Sequence, residues 1–144
     1  MNSLSRWWQG KGFGIQSKTD YEYLKDVLKE TLPYYAYEEI RGESARLIYR
    51  ICLHEQAKGR RVTLTGRFSN EEIAAANRAM TCAYQKLTHL HGQDTVIIGG
   101  IHSDCDEAEQ LWQQALKAKA VTWDIRNLGV VRFLKGRYAE HYAI

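Results

Sequence analysis

The residues best placed to do chemistry lie in the stretch Gly99-Gly100-Ile101-His102-Ser103-Asp104. They follow the apolar run Thr95-Val96-Ile97-Ile98, and open α/β sheets bind ligands just past the carboxyl ends of such strands. His102 with Asp104 or Asp106 makes a candidate acid–base pair, and the amides opening the next helix suit an anion. A plainer reading gives the same residues a sharp glycine turn, helix-capping aspartates and a histidine held by packing. Thr65, Gly66 and Ser69, past the shorter run Val62-Thr63-Leu64, are the matching candidates on a neighbouring strand. Together Thr65, Gly66, Ser69, Gly99, Gly100, His102, Ser103 and Asp104 form the candidate ligand-binding set, with no catalytic residue assigned.

Other reactive types carry less. His89 and His91 flank Leu90 near a helix end, where cationic residues complement the dipole, and no third ligand sits nearby. No metal site is expected. Cys52, Cys82 and Cys105 are an odd, widely spaced set without metal-ligand spacing, as in a reducing compartment. Cys105 opens a helix, a position that lowers a thiol pKa, but it has no base partner. Lys58, Arg60 and Arg61 form a basic cluster, and Trp7, Trp8, Lys11 and Phe13 mix aromatics with charge. Such interleaving contacts RNA in some proteins, yet a net charge of +3 falls short of a dedicated nucleic-acid binder. No nucleic-acid partner is expected.

These residues need elements to position them. In 144 residues, 44% hydrophobic and 26% charged, there is room for one soluble globular domain spanning 1–144. The N-terminus has no apolar run long enough for a signal peptide or a membrane span, so a cytoplasmic location and no membrane partner are expected. Residues 1–18 read as an irregular aromatic and glycine arm. A first helix starts near Thr19, with Ser17 and Thr19 offering caps, and ends at Pro33. Tyr34, Tyr35 and Tyr37 precede a second helix over 43–56. A strand over 61–65 leads to Ser69-Asn70-Glu71-Glu72, the spacing of a capping box, and a third helix to about Leu90, broken by Gly92. The run 95–98 has the continuous apolarity of a strand buried on both faces. Ser103, Asp104 or Asp106 caps a fourth helix through Lys119, with Ala108, Leu111, Trp112, Ala115 and Leu116 inward. Strands follow at 121–125, 129–134 and 138–144, the last two joined as a hairpin by Lys135-Gly136-Arg137.

Gly12-Phe13-Gly14-Ile15-Gln16-Ser17, Pro33-Tyr34-Tyr35-Ala36-Tyr37-Glu38-Glu39-Ile40, Asp94 to Ser103, Val121 to Phe133 and Glu140-His141-Tyr142-Ala143-Ile144 carry a family pattern. In these segments, over half of the chain, it resembles bacterial class I S-adenosylmethionine-dependent methyltransferases. The resemblance implies a Rossmann-like three-layer α/β sandwich with a mostly parallel sheet. The middle departs from it. The family holds its cofactor at a glycine-rich first strand–loop–helix, whereas Val62 to Ser69 has one glycine, and Arg67 and Phe68 are bulky. Only about 28 residues separate Gly66 from Thr95, too few for the extra strand–helix units of a complete enzyme. Gly99 and Gly100 also stand where the family usually has acidic residues.

The expectation is therefore a truncated methyltransferase-like α/β fold, mostly parallel with antiparallel C-terminal strands. Its function is expected to be that of a non-catalytic interaction or structural module without a cofactor. The alternative is an S-adenosylmethionine-dependent methyltransferase or a small-molecule binder using the strand ends near Gly99 to Asp104. An edge left open by the missing units invites pairing, so a homodimer or a protein partner covering it is expected.

Overall fold

A computed structural model of the chain describes residues 3–10, 12, 15, 17–31, 34–80 and 83–144, with the side chains of Ser3, Trp8 and Gln9 excepted. The expected roles of Lys11, Phe13, Gly14, Gln16, Pro33, Cys82 and the Trp8 side chain lie outside the described residues. In chain order the elements are α1 (Ser3–Gly10), α2 (Lys18–Tyr23) continued by a π-helical turn (Leu24–Leu28), a 3₁₀ turn (Tyr35–Glu38), α3 (Glu43–Ala57), β1 (Val62–Gly66), α4 (Asn70–Ala79), β2 (Thr95–Gly99), α5 (Asp106–Lys117), β3 (Val121–Ile125), β4 (Leu128–Arg132) and β5 (Glu140–Ala143).

The five strands form one mixed sheet in the order β1-β2-β4-β3-β5. β1 and β2 are parallel, β4 is antiparallel to both β2 and β3, and β5 is parallel to β3. Four strands thus point one way and β4 runs against them. Helices cover both faces. Ile48, Ile51 and Cys52 of α3 and Leu24, Val27 and Leu28 pack with Leu64, Ile97, Trp123 and Val130 on one face. Ala108, Leu111, Trp112 and Ala115 of α5 pack with Val96, Ile98 and Val131 on the other. The alternation of neighbouring strand residues between two buried faces is why the run Val96-Ile97-Ile98 is continuously apolar.

Several elements differ from the expectation, each for a local reason. The N-terminal arm contains a helix, α1, whose Arg6 reaches the Asp124 carboxylate and the carbonyls of Asp124 and Ile144. The helix after β1 stops at Ala79 rather than near Leu90. Met80 is extended, and residues 83–85 lie along β1: Leu64 N–H donates to Ala83 O and Gln85 N–H to Leu64 O, both at 2.8 Å. This bridged segment occupies the β1 edge that was expected to be open. Helix α5 begins at Asp106 with Cys105 at its N-cap and no side-chain cap; the Ser103 hydroxyl bonds Gly100 O instead. The expected hairpin through Lys135-Gly136-Arg137 is absent. The hairpin is β3–β4, turning at Arg126-Asn127, and the antiparallel strand lies inside the sheet. Every residue of β4 is buried, which suits an interior strand, whereas β5 begins exposed and suits an edge. Arg137 forks onto the buried Asp20 carboxylate at 3.1 and 2.6 Å, and the Tyr142 hydroxyl donates to it at 2.8 Å, pinning the β4–β5 connection to α2.

Candidate functional site

The capping box at Ser69 forms as its spacing demands: Glu72 N–H donates to the Ser69 hydroxyl and Ser69 N–H to the Glu72 carboxylate. Ser69 thus starts α4. Thr65 is buried, and its hydroxyl oxygen accepts the Leu87 N–H, holding the segment beyond α4. Gly66 has φ +96, and a Cβ there would overlap the Gly99 carbonyl oxygen; Arg67 N–H donates to that same oxygen at 2.9 Å. The ends of β1 and β2 are therefore closed on each other. Gly99 packs beneath Arg67 and Phe68, and Gly100 turns the chain at φ +83 against Ser103. Asp104 is exposed ahead of α5.

His102 does not pair with Asp104 or Asp106. Its Nε2 lies 2.7 Å from Asp124 Oδ2, across to the end of β3, and its N–H donates to Asn127 Oδ1 at 2.8 Å. Gly100 and Ile101 N–H both donate to Asn127 O. The β2–α5 loop is thus fastened to the β3–β4 turn, a partner that sequence spacing does not show because it is 22 residues away. Asp124 is shared with Arg6, at 3.1 Å.

The carboxyl ends of the strands meet the first turns of α3 and the end of α2 around a cleft of about 860 Å³. That volume lies within the range of small-molecule sites. Gly99, Gly100 and the β3–β4 turn line one side; Leu28, Leu47, Ile125, Leu128 and Ile144 supply apolar wall. The cations Lys29, Arg46, Arg50, Arg67 and Arg126 line it with the carboxylates Glu30, Glu43 and Glu72.

The arginines divide by location. Of eleven in the chain, Arg6, Arg60, Arg61, Arg78, Arg132 and Arg137 form ion pairs. Four of the other five, Arg46, Arg50, Arg67 and Arg126, line the cleft, and none of them meets a carboxylate among the described residues. Arg46 and Arg50 are held by neutral acceptors. Arg46 donates to Ile40 O and Tyr37 O and stacks 4.7 Å from the Tyr37 ring centroid. Arg50 donates to Val27 O, Leu28 O and the Tyr37 hydroxyl. Tyr37 packs with Tyr34 and Tyr49, so the tyrosine run forms a platform under two guanidiniums. Burial and then Glu30 raise the Tyr34 pKa, which keeps that phenol neutral.

None of these arginines stood among the sequence candidates. Arg46 and Arg50 did carry a signal: like charges four residues apart on one helix are destabilising, so a reason for keeping both was to be sought. Conversely, the basic cluster at 58–61 is largely taken up internally. Arg60 bonds Glu55, Thr95 and the carbonyls of Asp94 and Phe133, and Arg61 bonds Asp94, whose pKa is lowered first by the Arg61 backbone N–H. Cys52 is buried, and burial pushes its thiol up to about 12. Among the described residues no group of three or more His, Cys, Asp or Glu could hold a metal ion, and no helix is long and apolar enough to cross a membrane.

Comparisons with protein-family models, with curated proteins and with solved structures each return no match.

Proposed function

We propose that this protein is a ligand-binding α/β domain that holds a small anionic molecule in the cleft at the carboxyl ends of its strands. One observation carries the reading: four of the five arginines without an ion pair line this one cleft. Guanidinium groups gathered in a concave site raise the local positive potential and attract anions, and Arg67 and Arg126 have no side-chain hydrogen bond or ion pair among the described residues to account for their place there. The fixed orientation of Arg46 and Arg50 adds preorganisation, which lowers the ordering cost of binding.

The same reading bears on the resemblance to methyltransferases. S-adenosylmethionine carries a sulfonium and an ammonium against one carboxylate, so its net charge is positive and four guanidiniums repel it. The proposal is thus a methyltransferase-like scaffold that exchanged its cofactor for an anion.

Thermal unfolding tests this at fixed ionic strength, comparing chloride with sulfate or phosphate, and separately with S-adenosylmethionine and S-adenosylhomocysteine. A ligand that binds only the folded state raises the midpoint by mass action. The midpoint should rise with phosphate or sulfate and stay put with either cofactor compound. A rise with S-adenosylmethionine and none with the anions would reverse the assignment in favour of methyl transfer.

A further inference from the structure

We infer that the anion is a phosphate monoester on an apolar body rather than a carboxylate, an assignment that rests on the anion-binding reading above. The first ground is the donor count. A guanidinium offers five N–H donors in a planar fork, and one fork satisfies the two oxygens of one carboxylate. Arg46 gives two donors to carbonyls, and Arg50 gives three to two carbonyls and the Tyr37 hydroxyl, so both are held in place as fixed charges. Arg67 and Arg126 commit no side-chain donor to the protein among the described residues, and both are exposed in the cleft. They flank Gly100. A Cβ on Gly100 would stand 3.4 Å from Arg67 Cβ, while Gly100 N–H bonds the carbonyl of Asn127, the residue after Arg126. Two uncommitted arginines rooted on either side of one glycine offer more donors than a carboxylate uses, enough for the three terminal oxygens of a phosphate monoester.

Charge and shape agree with this. Five side-chain cations against three side-chain carboxylates make the lining net positive, which suits an anion. Leu28, Leu47, Ile125, Leu128 and Ile144 then cover an apolar body, and about 860 Å³ accommodates a small molecule rather than a polymer.

The second ground is backbone strain at Arg126. It is the one described non-glycine residue with positive φ, at +61, and it is the first central residue of a two-residue hairpin, where glycine is the usual choice. Such positions cluster at ligand clamps and other functional sites, and here the strained residue is one of the two uncommitted arginines.

Calorimetric titration of the whole chain at low salt tests the assignment with phenyl phosphate, benzoate, inorganic phosphate and a 5′-phosphorylated RNA hexamer. Phenyl phosphate should bind at least about tenfold tighter than benzoate and than inorganic phosphate, with Arg67→Gln and Arg126→Gln each weakening it about tenfold. Arg126→Gly should lose as much affinity as Arg126→Gln without lowering the unfolding midpoint, which separates the side chain from the fold. Benzoate binding as tightly as phenyl phosphate would overturn the phosphate assignment while leaving the anion site standing. Failure of phenyl phosphate, benzoate and inorganic phosphate alike would overturn both. Binding of the RNA hexamer tenfold tighter than phenyl phosphate would overturn the small-molecule part. Unchanged affinity in Arg67→Gln or Arg126→Gln would remove the donor-count argument.

Discussion

The buried cluster around Glu55 and the cleft at the opposite end of the sheet treat positive charge in opposite ways. At the amino ends of the parallel strands, Arg60 and Arg132 converge on Glu55, at 2.8 and 2.7 Å, and the Glu55 side chain is fully buried. Arg132 also lies over the Tyr23 ring, its Cζ 3.7 Å from the centroid. At the carboxyl ends, Arg67 and Arg126 stay exposed at a cleft with no carboxylate partner, above Arg46 and Arg50 held by neutral groups. The cost of burial explains the difference. A charge taken out of water without a counter-charge costs several kcal/mol, so the buried end must be neutralised from within. At the wet end hydration already stabilises the guanidiniums, and they remain open to an external anion. The buried ion pairs are accounted for by folding, and the cluster in the cleft is what the proposed anion would neutralise.

The comparison breaks most readily at Glu55. Glu55→Ala strands two guanidiniums at the buried end and should destabilise the fold by about 4 kcal/mol, read as a lower urea midpoint; a loss near zero would mean that the network is not buried in solution. At the opposite end, glycine rather than arginine is the structural element. Gly66→Ala places a Cβ in a left-handed backbone against Gly99 O and should cost about 3 kcal/mol from strain and overlap, measured the same way.

The alkaline limb of stability should belong to the buried end. Burial, and then Glu55, raise the pKa of both Tyr23 and Cys52, Cys52 to about 12. The unfolded thiol titrates near about 8.5, so the unfolded chain releases its proton first. That stability is complete below the unfolded value and is lost as pH rises toward the folded one. Urea midpoints should therefore fall between about pH 8 and pH 11, with a shallower fall in Cys52→Ala; a flat profile would show that these groups are solvated.

Smaller effects are expected in the cleft. Arg126→Gly relieves a left-handed residue and should stabilise the fold by about 1 kcal/mol, while Arg67→Gln should change it by less than about 0.5 kcal/mol. A large loss in either would make that arginine structural and erase the contrast between the two ends.

Much of the scaffold was legible because its signals are local. The capping box at Ser69 and the run Val96-Ile97-Ile98 are set by spacing within one element, and each forms where its pattern lies. The strand order was not legible. Gly129-Val130-Val131 reads alike as an edge or an interior strand, and its place between β2 and β3 depends on Trp112, whose ring lies where a Gly129 Cβ would be, 2.6 Å from it. The bridge at Tyr84 was missed for a similar reason: its partner, Leu64, belongs to another element.

By itself the sequence determined an α/β domain with helices on both sides of a sheet, and it marked Gly99 to Asp104 as a loop at a strand's carboxyl end. Periodicity and capping depend on neighbours within a few residues, which the order of the chain fixes. The tertiary structure alone decided that His102 meets Asp124, that β4 enters the sheet's interior, and that Arg46, Arg50, Arg67 and Arg126 share one cleft. Those arginines come from a helix, a strand end and a hairpin turn. Coulombic attraction depends on distance in space, so which charges are neutralised and which are left for a ligand is settled only when distant segments pack.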